Sequence, residues 1–219
     1  MSIKRSLIVF IGALACFSAC VGDFTVSFIL GSHYPGYSQM FNTMSSLGAS
    51  TSPVSFLTNL WWIILGLLMI LFAIGFRQAF SKGTKYVNLS SWLIILYGIG
   101  EGFGSGLFKS DQTGSLLINP SFMHDFSGGV GILAIIILPL IVPNIVPLFS
   151  GPGFKRFSLF VLLGGVVMWA LFFFRYVNHG DNLIAGYKGL WQRLFVLDYY
   201  MYLSVIAVMI LNKRANPVQ

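Results

Sequence analysis

Charged residues are scarce in this chain of 219 residues. Only 9% of them are Asp, Glu, Lys or Arg, and 56% are hydrophobic, whereas an average soluble domain has about 25% charged residues. A soluble domain of this length cannot bury so much apolar surface, so the composition excludes a soluble enzyme and a disordered chain. The net charge is +7, but no run of five Lys or Arg residues occurs, and we therefore expect no nucleic-acid partner.

Cysteine is also rare. Cys16 and Cys20 lie four residues apart in one apolar run, where they share a helix face. This pattern indicates neither a disulfide framework nor a metal-binding knuckle.

Long apolar stretches are present instead, and six are long enough to cross a bilayer as helices of about 20 residues. They are Leu7–Leu30, Pro53–Phe76, Val87–Phe108, Pro120–Phe149, Phe157–Val177 and Arg193–Leu211. Lipid offers no partner for a free backbone N–H or C=O, so each must be helical. The sequence predicts an all-α polytopic bundle of six transmembrane helices, forming one domain over residues 1–219. Ser52 and Pro53 predict the start of the second helix, and Pro143 predicts that the fourth kinks or ends near it.

The distribution of basic residues predicts the orientation, because cytoplasmic loops are enriched in Lys and Arg. If the six stretches alternate in direction, nine basic residues lie on the side of the termini and four on the other. The nine are Lys4, Arg5, Arg77, Lys82, Lys85, Lys155, Arg156, Lys213 and Arg214. We therefore predict that both termini are cytoplasmic.

All acidic residues and all histidines fall in the predicted outer half. The acidic residues are Asp23, Glu101, Asp111, Asp125, Asp181 and Asp198, and the histidines are His33, His124 and His179. At 1.5 Å per residue, Asp23 and Glu101 lie roughly 10 Å below the outer surface. Ionisable groups at such depth normally face a bundle interior or a water-filled cavity, and they are functional candidates by default.

We assign roles to these residues by their chemistry. Glu101, His124 and Asp125 are the candidates for general acid–base catalysis. The substrate-binding candidates are Asp23, Asp111, Arg175, His179 and Arg193, of which Arg193 would suit a phosphate or carboxylate. A purely structural alternative is a buried ion pair between Asp23 or Glu101 and Arg175. The His and Asp side chains could serve as metal ligands, but no His-x-x-x-His or Glu-x-x-His motif occurs, so we predict no metal and no cofactor.

Glycine alternates through the outer half of the third stretch. The residues form two series with a spacing of four: Gly98, Gly102 and Gly106, and Gly100 with Gly104. Small residues at this spacing let helices approach closely in lipid. The alternative is that a ligand approaches the backbone beside Glu101.

Tyrosine and tryptophan cluster near the predicted outer boundary, which is typical of an interfacial aromatic belt. The belt would contain Tyr34, Tyr37, Trp61, Trp62, Tyr187, Trp191, Tyr199 and Tyr200. The alternative is that some of these side chains line a lipid-sized groove.

Several short motifs together resemble a known family. They are Gly22-Asp23, Ser46-Leu47-Gly48-Ala49 with Pro53, Gly106-Leu107-Phe108 with Asp111, His124-Asp125, and Gly189 with Gln192-Arg193. Their order is similar to that in a bacterial and archaeal family of six-helix membrane proteins classed only as a domain of unknown function. That family is distantly similar to the Frag/DRAM/Sfk group of eukaryotic membrane proteins. The resemblance implies a fold, a topology and a prokaryotic cytoplasmic membrane, and by analogy it suggests lipid handling.

These observations favour a membrane protein that binds or modifies a lipid head group in a polar cavity on the extracytoplasmic side. Its partners would be the bilayer and a lipid or small-molecule ligand. One alternative is a small transporter or proton-coupled carrier that uses Asp23 and Glu101, although the inner half lacks polar residues to complete a path. Another is a non-catalytic scaffold. The sequence leaves open whether the protein is an enzyme.

Overall fold

The computed structural model describes residues 3–80, 83–111, 120–174 and 183–215, and helices dominate these parts, in which no strand occurs. The α-helices are α1 (Ile3–Ser32), α2 (Ser55–Gln78), α3 (Lys85–Tyr97), α4 (Ser105–Leu107), α5 (Pro120–Ile141), α6 (Pro152–Phe173), α7 (Leu183–Gly186) and α8 (Lys188–Ala215). A π-helix, Gly98–Gly104, joins α3 to α4 without a break, and 3₁₀ turns cover Met44–Gly48 and Val142–Asn144.

Five helices in the described part of the chain are long and apolar enough to cross a membrane. They are Ile3–Ser32, Ser55–Gln78, Phe122–Asn144, Pro152–Phe173 and Lys188–Lys213. The protein is therefore an integral membrane protein whose helices lie in a lipid bilayer. The third predicted stretch is not one of these five helices, because the π-helix divides it into shorter elements.

Two predicted helix ends can be compared directly with the structure. The α5 helix ends at Ile141, just before the 3₁₀ turn that contains Pro143, so the predicted end is confirmed. The predicted N-cap at Ser52 is wrong, since α2 begins at Ser55 after Val54. The Ser52 hydroxyl instead accepts a hydrogen bond from the Val54 N–H at 3.3 Å within the preceding turn.

The long helices form a closed ring in the order α1, α2, α3, α5, α6 and α8, with α8 returning to α1. At one end of the ring, Arg5 donates hydrogen bonds to the carbonyl oxygens of Gln78 and Phe80, and Lys213 lies 4.2 Å from the Phe80 ring centroid. We call this the terminal end, because α1 begins and α8 ends there. The opposite end carries residues 33–54, which we call the cap segment.

Aromatic side chains fill the ring toward the terminal end. Phe72, Phe76 and Phe149 are completely buried. The Phe149 ring lies 6.4 Å from that of Phe76 and 4.9 Å from that of Phe154, and Phe154 stacks on Tyr202 at 5.7 Å. This half of the bundle is a packed core.

Candidate functional site

A cavity of about 480 Å³ lies in the half of the bundle toward the cap segment. This volume is within the range of small-molecule sites, roughly 300–1,000 Å³. Every long helix of the ring contributes to its wall, together with the cap segment. Its polar lining residues are Asp23, Ser45, Tyr97, Glu101, Ser105, His124, Asp125, Gln192 and Tyr200.

Contacts with two glycine residues of α5 hold Glu101 at the cavity wall. Glu101 is carried by the π-helix, a rare element that often marks functional sites. Its side chain lies against Gly131 of α5, where an added Cβ would come within 3.0 Å of the Glu101 Cγ. Gly128, one turn earlier, lines the cavity beside the Glu101 carboxylate. The two glycines leave the space that the Glu101 side chain occupies.

The two predicted glycine series pack against different neighbours. Gly102 meets the backbone of Gly66 in α2, and a Cβ on Gly102 would lie 2.6 Å from the Gly66 nitrogen. Gly100 faces α5, where a Cβ would lie 2.6 Å from the Gly131 nitrogen. The predicted close approach of helices is therefore confirmed, and it holds the π-helix between α2 and α5.

Asp23 is buried, with 4% of its surface exposed, and neutral donors hold it. The Trp61 Nε1–H donates to Oδ1 at 3.0 Å, and the Tyr200 hydroxyl donates to Oδ2 at 2.9 Å. Tyr97 extends this series of hydrogen bonds, because its hydroxyl donates to the Tyr200 oxygen at 3.2 Å. The adjacent Gly22 is required because any Cβ there would collide with the Trp61 ring.

His124 and Asp125 lie at the start of α5. His124 is 6% exposed, and its Nδ1 is 2.8 Å from the carbonyl oxygen of Phe108. Its ring lies 6.4 Å from that of Trp62. Asp125 lines the cavity while being exposed, so it lies at the rim.

Arg193 is buried beneath the cap segment and does not line the cavity. Its Nη1 donates to the carbonyl oxygens of Asn42 at 3.0 Å and Gly189 at 2.9 Å, and also to that of Gln39. Its Nη2 donates to the Tyr37 hydroxyl at 2.6 Å and to the Gln39 side chain. The guanidinium therefore holds the cap segment in place through uncharged oxygens.

Asp111 also binds the cap segment. Its carboxylate accepts hydrogen bonds from the Ser50 amide, at 2.6 Å, and from the Ser50 hydroxyl. The Ser50 hydroxyl, with help from the Ser50 amide and Lys109, holds the pKa of Asp111 below its usual range. Beside it, Ser110 donates to the carbonyl oxygen of Ser45 at 2.6 Å.

Four of the eight predicted site residues line one cavity: Asp23, Glu101, His124 and Asp125. Asp111 and Arg193 lie apart from it, in the contacts that fasten the cap segment. Arg175 and His179 lie outside the described residues. In the described part of the chain, no three His, Cys, Asp or Glu side chains come together in a way that could hold a metal ion.

The sequence analysis missed the aromatic partners of the carboxylates. Trp62, Tyr199 and Tyr200 are buried in the bundle, so their assignment to an interfacial belt is wrong. Tyr97 was not singled out and Gln192 was named only as part of a motif, although both line the cavity. A usable signal was present, since Trp61, Tyr97 and Tyr200 carry polar groups at the depth of the intramembrane carboxylates.

A comparison with models of protein families identifies the family of this chain. Residues 11–209 match the family described as "Protein of unknown function (DUF998)". The chain belongs to this family. The DUF998 match extends from α1 into α8 and so includes every lining residue of the cavity. No curated protein and no solved structure matches the chain.

Proposed function

We propose that this DUF998 protein binds the polar head group of a membrane lipid in the cavity described above. The observation that carries the proposal is the shape and place of the cavity, which has carboxylates deep in its wall and a rim on the outside of the helix ring. Asp125 and Phe173 both line it and are exposed, Phe173 to 46%. The rim therefore lies between α5 and α6, where a head group could enter sideways.

The surroundings of this rim suit acyl chains. On α5, Phe126 is 58% exposed and Leu133 is 55% exposed. Exposed apolar side chains on a membrane helix face lipid tails. A lipid bound here would keep its tails among these side chains while its head group reached Glu101.

The proposal includes six membrane spans in a single domain, with both termini on the cytoplasmic side. The segment from Lys85 to Leu107 is continuously helical, and 23 residues at 1.5 Å each give roughly 35 Å, enough for a hydrocarbon core of about 30 Å. It lies between α2 and α5, which are both apolar enough to span. The cavity then opens on the extracytoplasmic side, because the basic residues predicted to be cytoplasmic are near the terminal end.

Binding is favoured over transport by what lies beneath the cavity. The packed aromatic core around Phe76, Phe149 and Phe154 occupies the half of the bundle toward the terminal end. A carrier would need a second, polar pathway there.

Three of the lining residues carry groups that can exchange protons: Glu101, His124 and Asp125. We assign them to acid–base chemistry as part of the proposal. The similarity of the family to the Frag/DRAM/Sfk group, and the prokaryotic cytoplasmic membrane, stay predictions.

Filling the cavity tests the proposal. Gly129 lines it, and a Cβ added there has no atom within 4 Å, so Gly129→Trp should place an indole in the cavity without disturbing the fold. We expect lipid retained through purification, measured by native mass spectrometry, to fall by about tenfold or more, equivalent to roughly 1.4 kcal/mol of binding free energy.

The matched control is Gly153→Trp. Gly153 lies in the first turn of α6, also with open space around its Cβ and away from the cavity. Lipid retention should not change in this variant. Equal retention in both variants, with both proteins folded, would contradict binding in the cavity.

A further inference from the structure

Among the described residues that line the cavity, the acidic side chains outnumber the basic ones. Asp23, Glu101 and Asp125 contribute carboxylates, and His124 contributes an imidazole. In the described part of the chain, no Lys or Arg side chain belongs to the lining. Arg193 is buried and donates its hydrogen bonds to oxygens of the cap segment and of Gly189, while its charge also acts on Asp23.

Within the described ranges, the residues compensate the charge of these carboxylates only in part. Asp23 receives hydrogen bonds from a tryptophan and a tyrosine, which carry no charge. The side chain of Glu101 accepts no hydrogen bond from any residue in the described ranges, although it lies at the wall of a cavity in the bundle. A carboxylate inside a bundle is costly to ionise unless a counter-charge compensates it, and a bound cation would supply that compensation for Glu101.

Aromatic rings complete the wall. The lining that contains the carboxylates also includes Trp62, Tyr97, Trp169 and Phe172. The faces of such rings attract cations, most strongly when the site is dry, by about 0.5–2 kcal/mol each. Carboxylates among aromatic faces are the surroundings in which proteins bind organic ammonium groups.

We propose that the cavity selects its ligand by positive charge, and that the ligand is an organic ammonium group bound by Glu101 and Asp23 between aromatic rings. This inference rests on the proposed function and deepens it, because it favours lipids with an amine-bearing head group over anionic lipids. It replaces the sequence-based expectation that Arg193 binds a phosphate or carboxylate. The same ammonium chemistry occurs in lipids such as phosphatidylethanolamine and in soluble amines such as ethanolamine.

The experiment compares head groups by native mass spectrometry of the full chain in detergent. The probes are phosphatidylethanolamine, phosphatidylglycerol with the same acyl chains, and free ethanolamine as a competitor. We expect phosphatidylethanolamine to bind at least about tenfold more tightly than phosphatidylglycerol. Glu101→Gln and Asp23→Asn, which keep side-chain size and remove charge, should each abolish this preference.

The charge control is Asp198→Asn. Asp198 is a carboxylate of α8 that faces Gly164 of α6 and does not line the cavity, so the preference should survive its neutralisation. Thermal unfolding of each variant shows whether it is folded. If one of the two cavity variants does not fold, the other carries the test.

The outcomes separate the two proposals. Binding of phosphatidylglycerol as tight as that of phosphatidylethanolamine, and lost in Gly129→Trp, would overturn the ammonium inference and leave the proposed function standing. Binding of ethanolamine alone, lost in Glu101→Gln, would support the ammonium inference and overturn the lipid proposal. Absence of any binding that depends on Gly129 or Glu101 would overturn both.

Discussion

Replacing Gly102 with alanine is expected to destabilise the protein, whereas the same replacement at Gly129 should be neutral or slightly stabilising. The new Cβ at position 102 would lie 2.6 Å from the backbone nitrogen of Gly66, and a helix backbone cannot move aside as a side chain can. Overpacking of a core costs about 1–3 kcal/mol, and more when neighbours are rigid. For Gly102→Ala we expect a loss of unfolding free energy at the upper end of this range. It should be seen as a fall of roughly 10 °C in the midpoint of thermal unfolding in detergent.

Gly129→Ala is the matched control because both residues are helical and the chemical change is the same. Nothing lies within 4 Å of an added Cβ at Gly129, and alanine is favoured over glycine in a helix by about 1 kcal/mol. Gly100→Ala changes the face toward α5 and should destabilise the protein about as much as Gly102→Ala does. An unfolding midpoint for Gly102→Ala equal to that of the wild type would show that the π-helix is not held between α2 and α5 as described.

Replacing Asp23 with leucine is the second change with a large expected effect. It leaves the Trp61 N–H and the Tyr200 hydroxyl without their acceptor inside the bundle. Each unsatisfied buried group costs about 1–3 kcal/mol. Asp23→Asn should be much milder, because the amide oxygen can still accept from Trp61. We expect the free energy of unfolding to be lower for Asp23→Leu than for Asp23→Asn.

A double-mutant cycle isolates the hydrogen bond from the change in shape. Trp61→Phe removes the donor, so combining it with Asp23→Leu should cost less than the sum of the two single changes, by about 0.5–3 kcal/mol. Strict additivity of the two changes would argue that Asp23 and Trp61 do not form the contact at 3.0 Å.

Helix positions were accessible from the sequence because the bilayer imposes a length and a composition on each crossing. The predicted Leu7–Leu30 corresponds to Ile3–Ser32, and Phe157–Val177 overlaps Pro152–Phe173. The π-helix at Gly98–Gly104 was not predicted. Its hydrogen-bond pattern follows from how α2 and α5 approach the glycines, and that is a tertiary effect without a local sequence signal.

The candidate site was predicted in part. Depth along the helices placed Asp23 and Glu101 at a common level, with His124 and Asp125 nearer the outer end of the fourth stretch, and the four residues line one cavity. Depth alone does not give the rotation of a helix about its axis. For this reason Asp111 and Arg193, at similar levels, could not be assigned in advance to the fastening of the cap segment.

Aromatic residues show the same limit. Trp61 and Tyr200 have the composition and depth of interfacial anchors, yet both donate to Asp23. A tyrosine or tryptophan near the boundary serves equally well facing lipid or facing a buried carboxylate. Only the packing of α1 against α2 and α8 decides between the two, and that packing depends on residues far apart in the sequence.

The most direct test of a carboxylate-lined cavity that opens outward is charge-selective cysteine labelling on intact cells. In a background with Cys16 and Cys20 replaced by alanine, Gly129→Cys places a thiol on the cavity wall and Gly153→Cys places one at the terminal end. The account predicts that, from outside, a trimethylammonium-ethyl methanethiosulfonate modifies Gly129→Cys faster than the sulfonatoethyl reagent does, by a larger ratio than the two reagents show with a free thiol in solution. It also predicts that Gly153→Cys reacts only after permeabilisation. Faster reaction of Gly129→Cys with the anionic reagent, or its reaction only from the cytoplasmic side, would contradict the account.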